Sequence, residues 1–240
     1  MSTPRRPAID LNADLGEGFP DDARLLDLVT SASVCCGAHA GDRDTTRATL
    51  DAARSRGVTV GAHPGYPDRH GFGRRPRAAS SSEIERLIVD QFQTLAALAR
   101  EAGATVRFVK PHGALYTQAQ VEQEVALGVV AAVRALGMPV LGQPGGVLEG
   151  LAVGAGIRFV AEGFPDRRYT PDGWLVPRSR PDSVLHDPAK VDAQVVRLVG
   201  DGLATLCIHG DDPSAFRNAV NVRAVLSRHG ITARFWDTGE

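Results

Sequence analysis

The fold is decided by the stretch Val58-Thr-Val-Gly-Ala-His63 and by the helical pattern and second apolar run that follow it. The helical pattern begins at Ser80-Ser-Ser-Glu83, which matches a capping box, and apolar residues recur at helical spacing up to Gly103. The second apolar run is Val106-Arg-Phe-Val-Lys110. A strand, a helix and another strand in this order predict a βαβ unit and therefore a parallel sheet.

The same alternation of short β-rich runs and longer helical patterns covers the whole chain. Strands are predicted at Ala8–Asn12, Ser33–Gly37, Val58–Gly61, Val106–Lys110, Pro139–Gly142, Ile157–Ala161 and Ala204–Ile208, with a candidate eighth at Thr232–Trp236. Further helices are predicted at Asp22–Val29, Thr45–Ser55, Val121–Leu136, Val191–Val199 and Pro213–Arg228. The length of 240 residues matches one (β/α) barrel, which typically takes about 250 residues. We therefore expect one α/β barrel domain over residues 1–240.

Composition argues against several classes of function. The 27 basic and 28 acidic residues are spread along the chain, so no basic face for nucleic acid or an anionic membrane is predicted. No apolar stretch approaches the roughly 20 residues that span a bilayer, and the N-terminal segment lacks the apolar part of a secretory signal. We therefore expect a cytoplasmic protein. Three cysteines do not form a disulfide framework, so we expect reduced, buried thiols, with Cys36 near His39 as an alternative nucleophile.

Four apolar runs end on a histidine, and two more end on acids. The histidines are His39, His63, His112 and His209. A single histidine after an apolar run is usually a hydrogen-bonded residue at a strand end. In a parallel barrel, however, the carboxyl ends of all strands face one side, so polar residues placed there meet in one pocket. The repetition therefore predicts an active site.

The first predicted strand contributes acids to the same pocket. Apolar and polar residues alternate in it, so Asp10, Asn12 and Asp14 would project to one side, and Glu17 follows in a Gly-rich turn. These acids can hold a metal, act as a general base, orient a histidine or only cap a backbone turn. Asp14 with His39 and His63 could form a two-histidine, one-acid site for a divalent metal. Acid–base or oxyanion chemistry by neutral imidazoles is the alternative.

Other strand ends and two long loops supply more chemistry. Lys110, His112 and Tyr116 share one strand end and its turn, and Lys110 could form a Schiff base or stabilise negative charge. We prefer charge stabilisation, because the surrounding acids would keep this lysine protonated. The Gly- and Pro-rich segment 63–75 and the segment 162–174 follow strands at the same face and are predicted to be functional loops. Further candidates there are Glu162, Asp166, Arg167, Arg74, Arg75, Arg178, His209 and Asp211.

A recognised phosphate cradle is missing from the sequence. The chain contains no Gly-x-x-x-x-Gly-Lys-Ser/Thr loop, and no Gly-x-Gly-x-x-Gly follows a strand and opens a helix. The isolated Gly71-Phe-Gly73 precedes arginines and is only a weak anion signal.

Several of these segments together resemble the LamB/YcsF family. They are Asp10-Leu-Asn-Ala-Asp-Leu-Gly-Glu-Gly18, Cys36-Gly-Ala-His-Ala-Gly-Asp42, Gly61-Ala-His-Pro-Gly-Tyr-Pro-Asp68, Gly71-Phe-Gly-Arg-Arg75, Val109-Lys-Pro-His-Gly-Ala-Leu-Tyr116, Glu162-Gly-Phe-Pro-Asp-Arg-Arg-Tyr169 and His209-Gly-Asp211. The match runs in order from the first strand to the last. One departure is Ala38, where the family pattern has Phe, which alters a pocket wall and keeps the imidazole of His39.

The resemblance implies a seven-stranded (β/α) barrel related to glycoside hydrolase and deacetylase barrels. It also implies ATP-dependent opening of 5-oxo-L-proline, a lactam, to L-glutamate with two partner subunits, PxpB and PxpC, and ATP bound by this chain or by a partner. The residues expected to act in catalysis are Asp10, Asp14, Glu17, His39, His63, Lys110, His112, Glu162, Asp166, His209 and Asp211. Substrate contacts are expected from Asn12, Arg74, Arg75, Tyr116 and Arg167. The alternatives are a metal-dependent, deacetylase-like hydrolase and a non-catalytic substrate-binding subunit.

Overall fold

Strands and helices alternate through the computed structural model, which describes residues 7–178 and 180–237. The strands are β1 (Ala8–Leu15), β2 (Ser31–Cys35), β3 (Thr59–His63), β4 (Val106–Val109), β5 (Val140–Gly142), β6 (Phe159–Gly163), β7 (Thr205–His209) and β8 (Thr232–Ala233). The helices are α1 (Asp22–Leu25), α2 (Arg43–Ser55), α3 (Ser81–Glu101), α4 (Gly113–Val121), α5 (Gln123–Leu136), α6 (Val147–Gly154), α7 (Pro188–Gly200) and α8 (Ala215–Arg228).

Seven parallel strands close into a barrel. Strands β2 to β7 pair in chain order, β7 pairs with β1, and β1 pairs with β2 to complete the ring. Asp14 near the end of β1 is level with His209 of β7 and with Ser33 of β2. The predicted seven-stranded (β/α) barrel is therefore confirmed, and this register places the strand ends that carry the polar residues at one mouth.

The eighth predicted strand lies beside the ring. Strand β8 pairs parallel with Ala8 and Ile9 at the start of β1. Phe235 and Trp236 follow it and pack against Phe108, which is fully buried. The aromatic residues after β8 thus cover the amino-terminal end of the barrel, opposite the mouth.

Helix α3 begins as its sequence predicts. The Ser80 side chain accepts a hydrogen bond from the Glu83 backbone N–H, and the Glu83 carboxylate accepts one from the Ser80 N–H at 2.8 Å, which completes the capping box. Apolar residues of this helix, such as Ile84, Ile88 and Leu95, are buried against the rest of the core. No helix in the described segments has the length and apolar character to cross a membrane.

Two helices were missed by the sequence pattern. In α4, most side chains are buried, including Tyr116, Gln118 and Gln120, so the helix lacks the polar face that periodicity detects. Helix α6 contains Gly150 and ends at Gly154, both of which weaken a helical signal. Strand boundaries differ from the predicted ones by one to three residues, and β1 continues past Asn12 so that Asp14 itself belongs to the strand.

Candidate active site

A buried lysine is the centre of the barrel mouth. The Nζ atom of Lys110, just after β4, lies 2.8 Å from Asp14 Oδ1 of β1 and 2.9 Å from Glu162 Oε1 of β6. It also lies 2.9 Å from Cys207 Sγ of β7. Lys110 is only 2% exposed, so its charge is compensated almost entirely by these neighbours.

These contacts fix the charges of the centre. Burial by itself would lower the pKa of Lys110, but Asp14, Cys207 and Glu162 raise it well above its ordinary value. Burial would likewise raise the pKa of Asp14, but the neighbouring His63 and Lys110 lower it to about 2. Lys110 is therefore an ammonium ion at neutral pH, as the sequence predicted. An ammonium group has no lone pair for a Schiff base, so the geometry favours stabilisation of negative charge.

Three of the predicted histidines form one cluster above Lys110. His112 Nδ1 lies 2.9 Å from His63 Nε2, and the His39 ring stacks on the His112 ring with centroids 3.7 Å apart and planes at 2°. Glu17 Oε1 joins them, 3.2 Å from His39 Nε2 and 3.5 Å from His112 Nδ1. His63 Nε2 is also 3.5 Å from Asp14 Oδ2. The convergence predicted from parallel strand ends is present.

Two backbone carbonyls hold these rings in place. His63 Nδ1 donates to the Lys110 carbonyl at 2.8 Å, and His112 Nε2 donates to the Phe72 carbonyl at 2.8 Å. Phe72 has a φ of 54°, and Gly73 follows with a φ of 63°. A Cβ atom on Gly73 would lie 2.9 Å from the Cβ of His39, so this position requires glycine. The Gly-rich segment around residues 71–73 therefore shapes the site from above.

Burial keeps the imidazoles neutral. It is the largest cause that lowers the pKa of His112, to about 3, and it also lowers the pKa values of His39 and His63. Burial and the negative charge of Asp14 raise the pKa of Glu17 well above its usual range. At neutral pH the histidines can therefore accept protons or bind cations through their free nitrogens.

Arginines surround the outer rim. Asp211, after β7, accepts from Arg74 at 2.5 Å and lies 3.5 Å from Arg178. The Arg74 guanidinium carbon lies 4.7 Å from the centre of the Phe72 ring. The side chains of Arg74 and Arg178 are 37% and 24% exposed, so each has donors that can reach an anionic ligand.

An aromatic wall closes the side of the site near β6 and β7. Phe164 stacks on His209 with centroids 5.1 Å apart and meets Tyr116 edge-on at 5.9 Å. In the part of the chain that the structure describes, the Tyr116 hydroxyl, Glu162 Oε2 and His209 Nδ1 are buried without hydrogen-bond partners. Unpaired buried polar atoms are costly, and here they are available to a bound molecule.

Not every predicted residue reaches this site. Asp10 is at the opposite end of β1, where it accepts hydrogen bonds from Thr30, Ser31 and Thr205, so its role is to join strands. Asn12 lies below the lysine and donates to Glu162 Oε1 at 3.1 Å, which makes it a supporting residue. Neither side chain is at the mouth. Strand alternation predicts which side of the sheet a residue faces, but it does not predict how far along the barrel axis the residue lies.

Two predicted substrate-binding arginines also have other partners. The Arg75 side chain is 71% exposed and lies 3.7 Å from Asp68, outside the cluster. Arg167 is buried and donates to the carbonyls of Ser183 at 3.2 Å and Val176 at 2.7 Å. Two of the five N–H donors of Arg167 therefore hold Val176 and Ser183.

The burial of Asp166 predicts that the stability of the protein depends on pH. Burial raises its pKa to about 6 despite the nearby Arg178 and Arg167, so the folded protein favours the protonated form. That stabilisation is complete below the pKa of the unfolded chain, about 4, and is lost as the pH rises through 6. Asp166→Asn, which mimics the protonated acid, should therefore become more stable relative to wild type by about 1 kcal/mol between pH 5 and pH 8.

Urea unfolding at the two pH values measures this difference. Asp44→Asn, on the exposed first turn of α2, is the control for a surface change of the same type. A stability difference between Asp166→Asn and wild type that does not change with pH would contradict the assignment.

The three cysteines are free thiols and buried, as predicted. Burial raises the pKa of Cys35 to about 12, and it raises the pKa values of Cys36 and Cys207 as well. The alternative in which Cys36 is a nucleophile is therefore not supported by its environment.

We expect the native thiols to react with Ellman's reagent on the order of 100-fold more slowly than in denaturant, since reaction requires local opening. Reaction of one thiol in the native protein at the denatured rate would contradict the buried, protonated assignment.

The structure groups the potential metal ligands into two sets, and neither is the predicted set of Asp14, His39 and His63. Within the described residues, two groups place potential ligand atoms within 4.8 Å of one another: Glu17 with His63 and His112, and Asp14 with Cys207 and His209. His39 belongs to neither group, although its Nε2 lies 3.2 Å from Glu17 Oε1. The set of Asp14, His39 and His63 stays a prediction.

Three contributors were absent from the predicted site. They are Cys207, whose sulfur contacts Lys110, Phe72, whose carbonyl orients His112, and Phe164, whose ring covers His209. Strand alternation in β7, which places Thr205, Cys207 and His209 on one side, could have indicated the cysteine. No comparable signal exists for a backbone carbonyl in a loop.

The fold and the site define a (β/α) barrel with one polar centre at the carboxyl ends of its strands. The LamB/YcsF family model matches residues 9–239, and the chain belongs to this family. The 5-oxoprolinase A subunit of Methylococcus capsulatus is 45% identical over 243 residues, with 93% of this chain and 94% of that protein covered. The protein of the same name from Kocuria rhizophila is 46% identical, with 94% and 98% covered.

Solved structures agree with the barrel. A lactam utilization protein from Thermus thermophilus superposes with a TM-score of 0.87 at 38% identity, covering 95% of this chain and 99% of the other. The polysaccharide deacetylase Bc1974 from Bacillus cereus has a TM-score of 0.54 at 13% identity, with 96% and 92% covered. At that low identity, the deacetylase shows similarity of fold alone.

Proposed function

We propose that this chain is the barrel subunit of an ATP-dependent 5-oxoprolinase, which opens 5-oxo-L-proline to L-glutamate. The observation that carries the proposal is the buried ammonium group of Lys110 beneath a cluster of neutral histidines. The names of the relatives in Methylococcus and Kocuria support the choice of reaction.

Opening a lactam makes three chemical demands. Negative charge develops on the carbonyl oxygen, water must lose a proton, and the ring nitrogen must gain one as the C–N bond breaks. Asp14, Glu162 and Cys207 occupy the three N–H donors of Lys110, so we assign its ammonium group to stabilising the developing charge through its electric field and not through a direct hydrogen bond. The free ring nitrogens of His63 and His112, with Glu17 beside them, are suited to moving protons. We therefore assign water activation and protonation of the leaving nitrogen to the histidine cluster.

The carboxylate of the substrate requires a cationic partner. Arg167 is buried and gives two of its donors to backbone carbonyls, so we assign this contact to the more exposed Arg178 and Arg74 on the rim beside Asp211. A guanidinium group can bind a carboxylate through two parallel hydrogen bonds. The aromatic wall of Phe164 and Tyr116 would then cover the apolar edge of the ring.

ATP is assigned to the partner subunits. The sequence has no recognised phosphate cradle, and amide resonance makes a lactam resistant to water. Phosphorylation of the carbonyl oxygen by ATP on a partner would give a better electrophile for the water held in this barrel. The chain would then act after activation or together with it.

Binding of the substrate to the isolated chain tests the carboxylate contact. We expect 5-oxo-L-proline to bind more tightly than 2-pyrrolidinone, the same lactam without its carboxylate, by about tenfold or more. Arg178→Ala should remove most of this preference, whereas the control Arg47→Ala, on the outer surface of α2, should keep it. Equal binding of the two lactams by wild type would contradict the proposed contact.

A further inference from the structure

We propose that Glu17, His63 and His112 bind one divalent transition-metal ion at the barrel mouth. The chemistry is that of a zinc-type site with two imidazoles, one carboxylate and an open fourth position. The proposal concerns binding by the chain itself. In the ion-bound chain His63 and His112 would act as ligands, so the proton transfers assigned to them above belong to the ion-free chain.

The hydrogen bonds of the two rings determine where their protons are. A backbone carbonyl can only accept, so His63 carries a proton on Nδ1, which faces the Lys110 carbonyl, and His112 carries one on Nε2, which faces the Phe72 carbonyl. In neutral rings, the remaining nitrogens, His63 Nε2 and His112 Nδ1, both have lone pairs. These atoms lie 2.9 Å apart. Two lone pairs at this distance repel, and a cation placed between them removes the repulsion.

A carboxylate oxygen lies near each of the two ring nitrogens. Glu17 Oε1 lies 3.5 Å from His112 Nδ1, and Asp14 Oδ2 lies 3.5 Å from His63 Nε2. Ligands about 2.0–2.1 Å from a tetrahedral zinc ion are separated from each other by roughly 3.3–3.4 Å. The separation of Glu17 Oε1 from His112 Nδ1 matches that geometry, and the two ring nitrogens need to move apart by only a few tenths of an ångström.

The surroundings are those of a metal site. Metal-bound histidines usually donate their second N–H to a carbonyl or carboxylate, which fixes the tautomer and the ring orientation. Both rings here do so. All three ligand side chains are buried, and Asp14, which lies beside His63, is held by Lys110 at 2.8 Å. Donor atoms that are fixed and shielded in this way are preorganised for one ion.

A shared proton is the competing explanation of the short nitrogen–nitrogen distance. It would make the His63–His112 pair an imidazole–imidazolium with a single positive charge. Burial of both rings opposes that charge. A divalent ion would instead be in direct contact with a carboxylate, which compensates its charge.

Cobalt titration tests the proposal on the full chain after dialysis against a chelator. We expect visible absorption bands typical of four-coordinate Co²⁺, saturating at one ion per chain, and we expect Zn²⁺ to remove them. Glu17→Gln and His112→Gln should each weaken Co²⁺ binding by at least about 100-fold with an unchanged circular dichroism spectrum. The control His229→Gln, on an exposed histidine after α8, should bind like wild type.

Two results would overturn the proposal. The first is wild-type protein without saturable Co²⁺ or Zn²⁺ binding, in which nitrogen NMR spectra show a single proton shared by the two rings. The second is equal binding by wild type and both folded ligand variants, which would exclude these residues as the site. Either result would leave the lactam assignment to be judged by its own assay.

Discussion

Lys110→Met is expected to lower the free energy of unfolding by about 3–5 kcal/mol, because it leaves buried Asp14 and Glu162 without their cation. Chemical denaturation at neutral pH measures the loss. Lys190→Met is the matched control, since Lys190 is exposed near the start of α7 and its replacement should change stability by less than about 0.5 kcal/mol.

A second substitution distinguishes lost charge compensation from lost packing. Adding Glu162→Gln to Lys110→Met removes one of the two uncompensated carboxylates and should recover part of the lost stability. A loss no larger than that of the control, or a double variant less stable than Lys110→Met alone, would contradict the charge account.

His63→Gln is expected to lower lactam-opening turnover by about 10²–10³-fold in the assembled enzyme while the chain stays folded. The reason is that His63 connects Asp14 to His112 and supplies a free nitrogen at the centre of the cluster. Steady-state glutamate formation measures the loss, and thermal unfolding checks the fold. The control His229→Gln should retain wild-type turnover. Full activity of folded His63→Gln would show that the histidine cluster is not used in the reaction.

The sequence was sufficient to predict the barrel and the convergence of its strand ends. Parallel strands place their carboxyl ends together, so His39, His63 and His112 were expected to meet although more than 70 residues separate the first from the last. The acids expected around Lys110 are also present, and Asp14, Cys207 and Glu162 raise its pKa against the effect of burial.

The alternation pattern did not predict how close to the mouth each residue of a strand lies. Asp10 and Asp14 share one side of β1, but four residues of extended chain, about 13 Å, separate them along the strand. Hydrogen bonds to Thr205 and its neighbours therefore hold Asp10 away from the mouth, where Asp14 contacts Lys110.

The sequence pattern also did not predict the contacts of side chains in loops or the orientations of the histidine rings. Arg167 follows a strand at the mouth, as a substrate clamp would, and two of its donors are held by the carbonyls of Val176 and Ser183. His39 was expected beside Asp14 and instead stacks on His112. Both outcomes depend on tertiary contacts that have no local sequence signal.

The most direct test of the proposed function is reconstitution with the two proposed partner subunits, PxpB and PxpC, in the presence of ATP and 5-oxo-L-proline. Glutamate and phosphate are measured together for this chain alone, for the partners alone and for all three. We predict coupled formation of both products only with all three proteins, and its loss when Asp14→Asn replaces the wild-type chain. Coupled turnover by this chain alone, or full turnover with folded Asp14→Asn, would contradict the account.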